Sequence, residues 1–189
     1  MSNPDEPGQD AAFEWVELVN VGGEELDTSG WRLGDSRSFD DLPGMKVPAG
    51  GYVVVAAKSA VLPGGVRVVR VADGTIGGGL GNSGDQVRVI GPDGDEADVV
   101  SYGDDDSIFE PAPPAPDAGQ TIGVRDASGD PDALNWDVTL RPTPGEPNVF
   151  AAPRSGLAAA QAPAAGVSGA PVAVARGGRN EMLWLAAVS

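Results

Sequence analysis

The sequence predicts an all-β sandwich or barrel over residues 1–150, followed by a low-complexity tail. Three observations carry this. Short runs of strand composition recur at roughly 10–15-residue spacing. The 28 Gly and 17 Pro of the 189-residue chain punctuate those runs, favouring turns over long helices. No stretch shows the 3.6-residue apolar period of an amphipathic helix.

The clearest element is a hairpin within Leu80–Gly103. In Asp85–Ile90, Val87 and Val89 alternate with Arg88, the period of a strand buried on one face. Gly91–Asp95 contains Pro92-Asp93-Gly94, where proline pre-sets φ, aspartate bonds locally and glycine accepts positive φ. Ala97–Tyr102 returns. Val99 and Val100 point opposite ways there, which leaves the inward face of the return strand open.

The other elements follow in order. Met1–Ala12 is polar and turn-rich and lacks the charged and apolar regions of a signal peptide. Phe13–Asn20 is a strand with Val16 and Leu18 on one face and Trp15, Glu17 and Val19 on the other. Gly22-Gly23 breaks it. Leu26–Gly30 leads into a short strand, Trp31-Arg32-Leu33, and Asp35–Asp41 reads as a polar loop. The turn Val47-Pro48-Ala49-Gly50-Gly51 precedes Tyr52–Ala57, a continuous apolar run of the fully buried type. Val66–Ala72 is a further strand, and Gly77-Gly78-Gly79 introduces the hairpin. Asp104–Ala118 is acidic and proline-rich, hence a loop. Gln120–Arg125 and Asn135–Val138 close the sheets, and Arg141–Asn148 terminates the domain.

Residues 151–181 are Ala/Pro/Gly-rich and read as a flexible linker. Residues 182–189 (MLWLAAVS) turn apolar. They are shorter than the ~20 residues a membrane-spanning helix needs. They read either as the first turns of such a helix, cut off by the chain end, or as an apolar tail.

The chain has no histidine and no cysteine. The usual general base, thiol nucleophiles, thiolate metal sites and disulfides are therefore absent. Net charge is −16, and the balance is uneven: −18 over residues 1–150 and +2 over 151–189. So acidic a domain repels phosphate backbones, which argues against nucleic acid as partner.

Candidate chemistry is sparse. Gly79-Leu80-Gly81-Asn82-Ser83-Gly84 matches G-x-G-x-x-G, but a dinucleotide site needs a helix to follow and here a strand follows. Ser83 has no histidine to activate it. Glu14 and Glu17 lie three apart, on opposite faces of a strand, which does not suit a paired acid and base. If buried, Glu17 is expected to bond backbone amides or an arginine. The acidic loops are the remaining candidates for a ligand: Asp93 and Asp95 in the hairpin turn, and Asp104, Asp105 and Asp106 after Tyr102. Calcium takes six to eight oxygens from such loops, although no D-x-[DN]-x-[DN]-G pattern is present. Trp15, Trp31 and Trp136 are expected in the core.

The order of segments resembles the lamin-tail domain, an immunoglobulin-like β-sandwich of nuclear lamins and many bacterial surface and secreted proteins. Glu14-Trp15-Val16-Glu17-Leu18-Val19-Asn20, Leu26-Asp27-Thr28-Ser29-Gly30-Trp31-Arg32-Leu33 and Val47-Pro48-Ala49-Gly50-Gly51-Tyr52 carry it first. Leu80-Gly81-Asn82-Ser83-Gly84-Asp85, Asp98-Val99-Val100-Ser101-Tyr102-Gly103 and Pro142-Thr143-Pro144-Gly145-Glu146-Pro147-Asn148 complete it, over about residues 1–148. Members usually open with an apolar strand before the Asn-Pro-Asp loop. Met1 falls inside that loop here, so the resemblance implies a missing first strand, from a fragment or a misplaced start, and with it an unpaired sheet edge.

The resemblance implies no catalytic residues and no resident cofactor. It implies a non-enzymatic binding or tethering module, extracellular or at the cell surface, and cytoplasmic if Met1 is the true start. The partner would be a protein or a cell-envelope component, with the membrane reached only through residues 182–189. The alternatives are an accessory domain of a larger secreted hydrolase or nuclease, and a calcium-binding structural domain.

Overall fold

A computed structural model describes residues 10–129 and 132–151, and the backbone of 183–188. The linker expected at 151–181 lies almost wholly outside the described residues.

Among the described residues, twelve strands form three sheets. β1 (Trp15–Asn20), β6 (Tyr52–Ala56), β7 (Val68–Arg70), β10 (Ile122–Val124), β11 (Trp136–Val138) and β12 (Leu183–Val188) make a six-stranded sheet in the order β11-β10-β12-β1-β6-β7. β3 (Arg32–Gly34), β4 (Phe39–Asp41), β8 (Gly84–Ile90) and β9 (Glu96–Gly103) make a four-stranded sheet in the order β4-β3-β8-β9. β2 (Leu26–Asp27) pairs with β5 (Lys46–Val47) as a small third sheet. The pairings are antiparallel except that of β6 with β7.

One core lies between the two large sheets. Val16, Leu18, Val53 and Val55 from the larger sheet join Leu33, Val87, Val89, Val100 and Tyr102 from the smaller. The expected face assignment of β1 holds, since Val16 and Leu18 enter this core while Trp15 packs on the opposite face with Val54, Ala56 and Ala60. That second cluster explains the continuous apolar run of β6: a flap carrying Ala60, Leu62 and Val66 covers the outer face of the sheet. Trp31 and Trp136 are core residues as expected, and Trp15 is buried in the outer cluster.

The β8–β9 hairpin has the predicted bounds to within a residue or two. Gly91 N–H donates to the Asp95 carbonyl and Gly94 sits at φ 89°. The open question in β9 is settled by a bulge. Val89 faces Asp98 and Ile90 faces Glu96, so Ala97 is the extra residue. Val100 and Tyr102 then point into the core on one parity, and Ala97 reaches the same core on the other.

Two expectations are corrected. Asp35–Asp41 is not simply a loop, because Phe39–Asp41 pairs with Arg32–Gly34. Asp35 Oδ1 accepts hydrogen bonds from the N–H groups of Arg37 and Ser38. This Asx turn folds the chain back on β3, where the Arg32 guanidinium lies 5.5 Å from the centre of the Phe39 ring. The second concerns the apolar end and the unpaired edge. Leu183–Val188 is a strand, not helical turns, and it pairs with β1 on one side and β10 on the other. β1 therefore has partners on both edges. Among the described residues no helix is long and apolar enough to cross a membrane.

Candidate functional site: buried carboxylates and an arginine-lined cleft

The five acidic residues considered for calcium do not come together. Asp93 and Asp95 are exposed at the turn of the β8–β9 hairpin, where Asp93 Oδ1 accepts from Asp95 N–H. Asp104, Asp105 and Asp106 follow β9 at the hairpin's open end, about 20 Å away for seven residues of strand. Asp105 Oδ1 is already taken by the backbone N–H and hydroxyl of Ser107. Among the described residues no group of three or more acidic side chains is placed to hold a metal ion.

The glycine-rich run is a loop entering β8, as its following strand requires. Its amides are occupied by the chain's own carboxylates. Gly77 N–H donates to Asp40, Gly78 N–H to Asp35, Leu80 N–H to Glu14 and Gly81 N–H to Asp85. Tyr102 Oη adds a hydrogen bond to the Gly81 carbonyl at 2.9 Å. Donors that would cradle a phosphate in a dinucleotide site are spent on holding this loop against the sandwich.

Glu14 and Glu17 are both fully buried. Glu14 Oε2 accepts from Leu80 N–H at 3.1 Å, and Glu17 Oε2 accepts from Gly145 N–H. Oε1 of each has no hydrogen-bond partner. Desolvation dominates over these single hydrogen bonds. It pushes Glu14 up to about 7 and Glu17 up to about 8 from an ordinary 4.5. Glu17 is thus largely protonated at neutral pH. As expected for a buried Glu17, its partner is a backbone amide. The two side chains tie separate loops to β1 and do not face each other as an acid–base pair.

The bond from Glu17 shapes a cleft of about 360 Å³. Tyr52 at the start of β6, the loop 63–67 and the segment 141–146 line it. Glu146 N–H donates to the Thr143 carbonyl in a turn that carries Gly145 at φ 86°. Pro63, Pro142 and Pro144 stiffen the walls. Arg67 and Arg141 are exposed and both line the cleft, and neither makes an ion pair or a side-chain hydrogen bond among the described residues. Lys46, Arg88 and Arg125, by contrast, are ion-paired. Glu146 is the one acid in the lining. Thr143 is more than nine-tenths buried, and its Oγ1 has no partner.

Sequence reading did not single out this cleft. Its residues come from three distant segments, and none belongs to a local motif. Only the shortage of cations, nine among residues 1–150, draws attention to two of them sharing one cavity.

Two packed, largely antiparallel sheets around one core, with polar side chains spent on loop anchoring, define an immunoglobulin-like β-sandwich. The lamin tail domain family matches residues 2–104. The chain belongs to this family, whose members are structural, immunoglobulin-like domains. The comparison with curated proteins returns no match. The family match covers the two-stranded and four-stranded sheets and β1, β6 and β7 of the larger one. β10, β11, β12 and one wall of the cleft lie beyond it.

Proposed function

We propose that this domain is a non-catalytic binding module of a cell-surface or secreted protein, and that the cleft between Arg67 and Arg141 is its contact site. The partner is a protein segment that presents a carboxylate. The observation that carries this reading is that two arginines with no ion-pair partner among the described residues line one cleft of a domain otherwise rich in acid. A guanidinium recognises carboxylate through a planar fork of donors. Thr143, whose Oγ1 is buried without a partner among the described residues, belongs to the same lining. The net charge of −18 opposes long polyanions. Local contacts still favour a single carboxylate, because charges beyond about 8 Å are screened at physiological salt.

Family membership and the use of both buried glutamates as loop anchors support a binding role over an enzymatic one. A displayed random-peptide selection tests the reading. The wild-type domain should enrich peptides that carry Asp, Glu or a free C-terminus, and Arg67→Glu/Arg141→Glu should lose that enrichment. Equal enrichment by both proteins would refute it.

A further inference from the structure

β12 is the last strand in the chain, yet it occupies an interior position in the six-stranded sheet. Val188 pairs with Val16 of β1 and Ile122 of β10, and Ala187 pairs with Glu17 and Gly123. Leu185, Trp184 and Leu183 continue the ladder along Leu18, Val19 and Asn20. The strands on either side are buried along their whole length: all six residues of β1 and all three of β10. Take β12 away and the sheet divides into β11-β10 and β1-β6-β7. Two rows of backbone N–H and C=O groups in buried strands would then face an empty slot, and such groups are almost always paired in native proteins.

We propose that the slot between β1 and β10 is a strand-acceptor site, and that the C-terminal strand of a second copy of this chain fills it by exchange with the chain's own. The backbone ladder is the same whether Leu183–Val188 comes from the same copy or another. Identical hydrogen bonds cancel, and the connection alone decides. Residues 152–182 form that connection, 31 residues between Ala151 and Leu183. A connection of this length gives its end an effective concentration no higher than about the millimolar range. A second copy at comparable concentration therefore competes on near-equal terms. Each copy carries −16, so mutual repulsion opposes the pairing at low salt and screening relieves it. Strand addition of this kind draws its affinity from main-chain bonds, which makes it indifferent to which copy donates.

The test is light scattering coupled to size exclusion on the full chain, from about 10 μM to about 1 mM, at raised salt. We expect a dimer whose fraction grows with concentration. It should be absent in Leu185→Pro/Ala187→Pro, since proline cannot donate to the ladder. A peptide of residues 182–189 in excess should dissolve the wild-type dimer, a readout that does not depend on the variant folding. A wild-type chain that stays monomeric throughout overturns the proposal. So does a dimer that survives both the prolines and the peptide.

Discussion

Glu17 Oε2 on the first strand accepts the backbone N–H of Gly145, 128 residues further along the chain. That single bond ties the terminating segment of the domain to the centre of the larger sheet. It does so with a carboxyl group that burial keeps protonated at neutral pH. The wall of the cleft that carries Arg141, Thr143 and Glu146 is built on this anchor.

Stability should therefore depend on pH with a defined sign. The folded-state pKa of Glu17, about 8, lies above the ordinary 4.5, so the unfolded chain releases a proton that the folded protein keeps. The contribution is full below about pH 4.5 and is lost as pH rises through about 8. Glu14, at about 7, acts in the same direction. Thermal midpoints should fall between pH 5 and pH 9. Glu17→Gln, which keeps an acceptor for Gly145 and cannot ionise, should flatten that fall, by on the order of a few kcal/mol at pH 9.

Gly145→Ala tests the other end of the bond. Gly145 has φ 86°, and an added Cβ would come 3.2 Å from Val66 Cγ2. A left-handed backbone conformation costs an alanine about 1–2 kcal/mol, and crowding against Val66 adds to it. Urea denaturation should show a loss of about 1–3 kcal/mol.

The hairpin geometry keeps the acidic loops apart, so calcium is expected to bind weakly. Asp93 and Asp95 lie at one end of the β8–β9 hairpin and Asp104, Asp105 and Asp106 at the other. Millimolar calcium should leave the thermal midpoint within about 1 °C, since a ligand stabilises only in proportion to its occupancy of the folded state. A saturable rise of several degrees would mean that the acidic loops rearrange around the ion.

Much of this fold is legible in the sequence, because the main signals are local. The alternation of Val87 and Val89 with Arg88, the Pro92-Asp93-Gly94 turn and the unbroken Tyr52–Ala57 run each report one element's burial. Strand β4 is missed because its residues, Phe39, Asp40 and Asp41, are only partly covered. An edge strand paired on one side needs no apolar face. The bulge at Ala97 is equally hidden, since parity alone cannot say where one residue drops out of register. β12 escapes because a short apolar run at a chain end has no period to fix its type. The cleft depends on tertiary contact among segments up to 128 residues apart, and such proximity leaves no trace in spacing.

The most direct test of the binding reading follows the arginine Nε–Hε signals by ¹H–¹⁵N NMR during a titration with N-acetylglutamate. Arg67 and Arg141 should shift together and saturate in the millimolar range, as expected for about 4 kcal/mol of binding. Arg88 and Arg125, already engaged with Glu96 and Asp137, should stay in place. A response that never saturates, or one equal at all four arginines, would contradict a carboxylate site in the cleft.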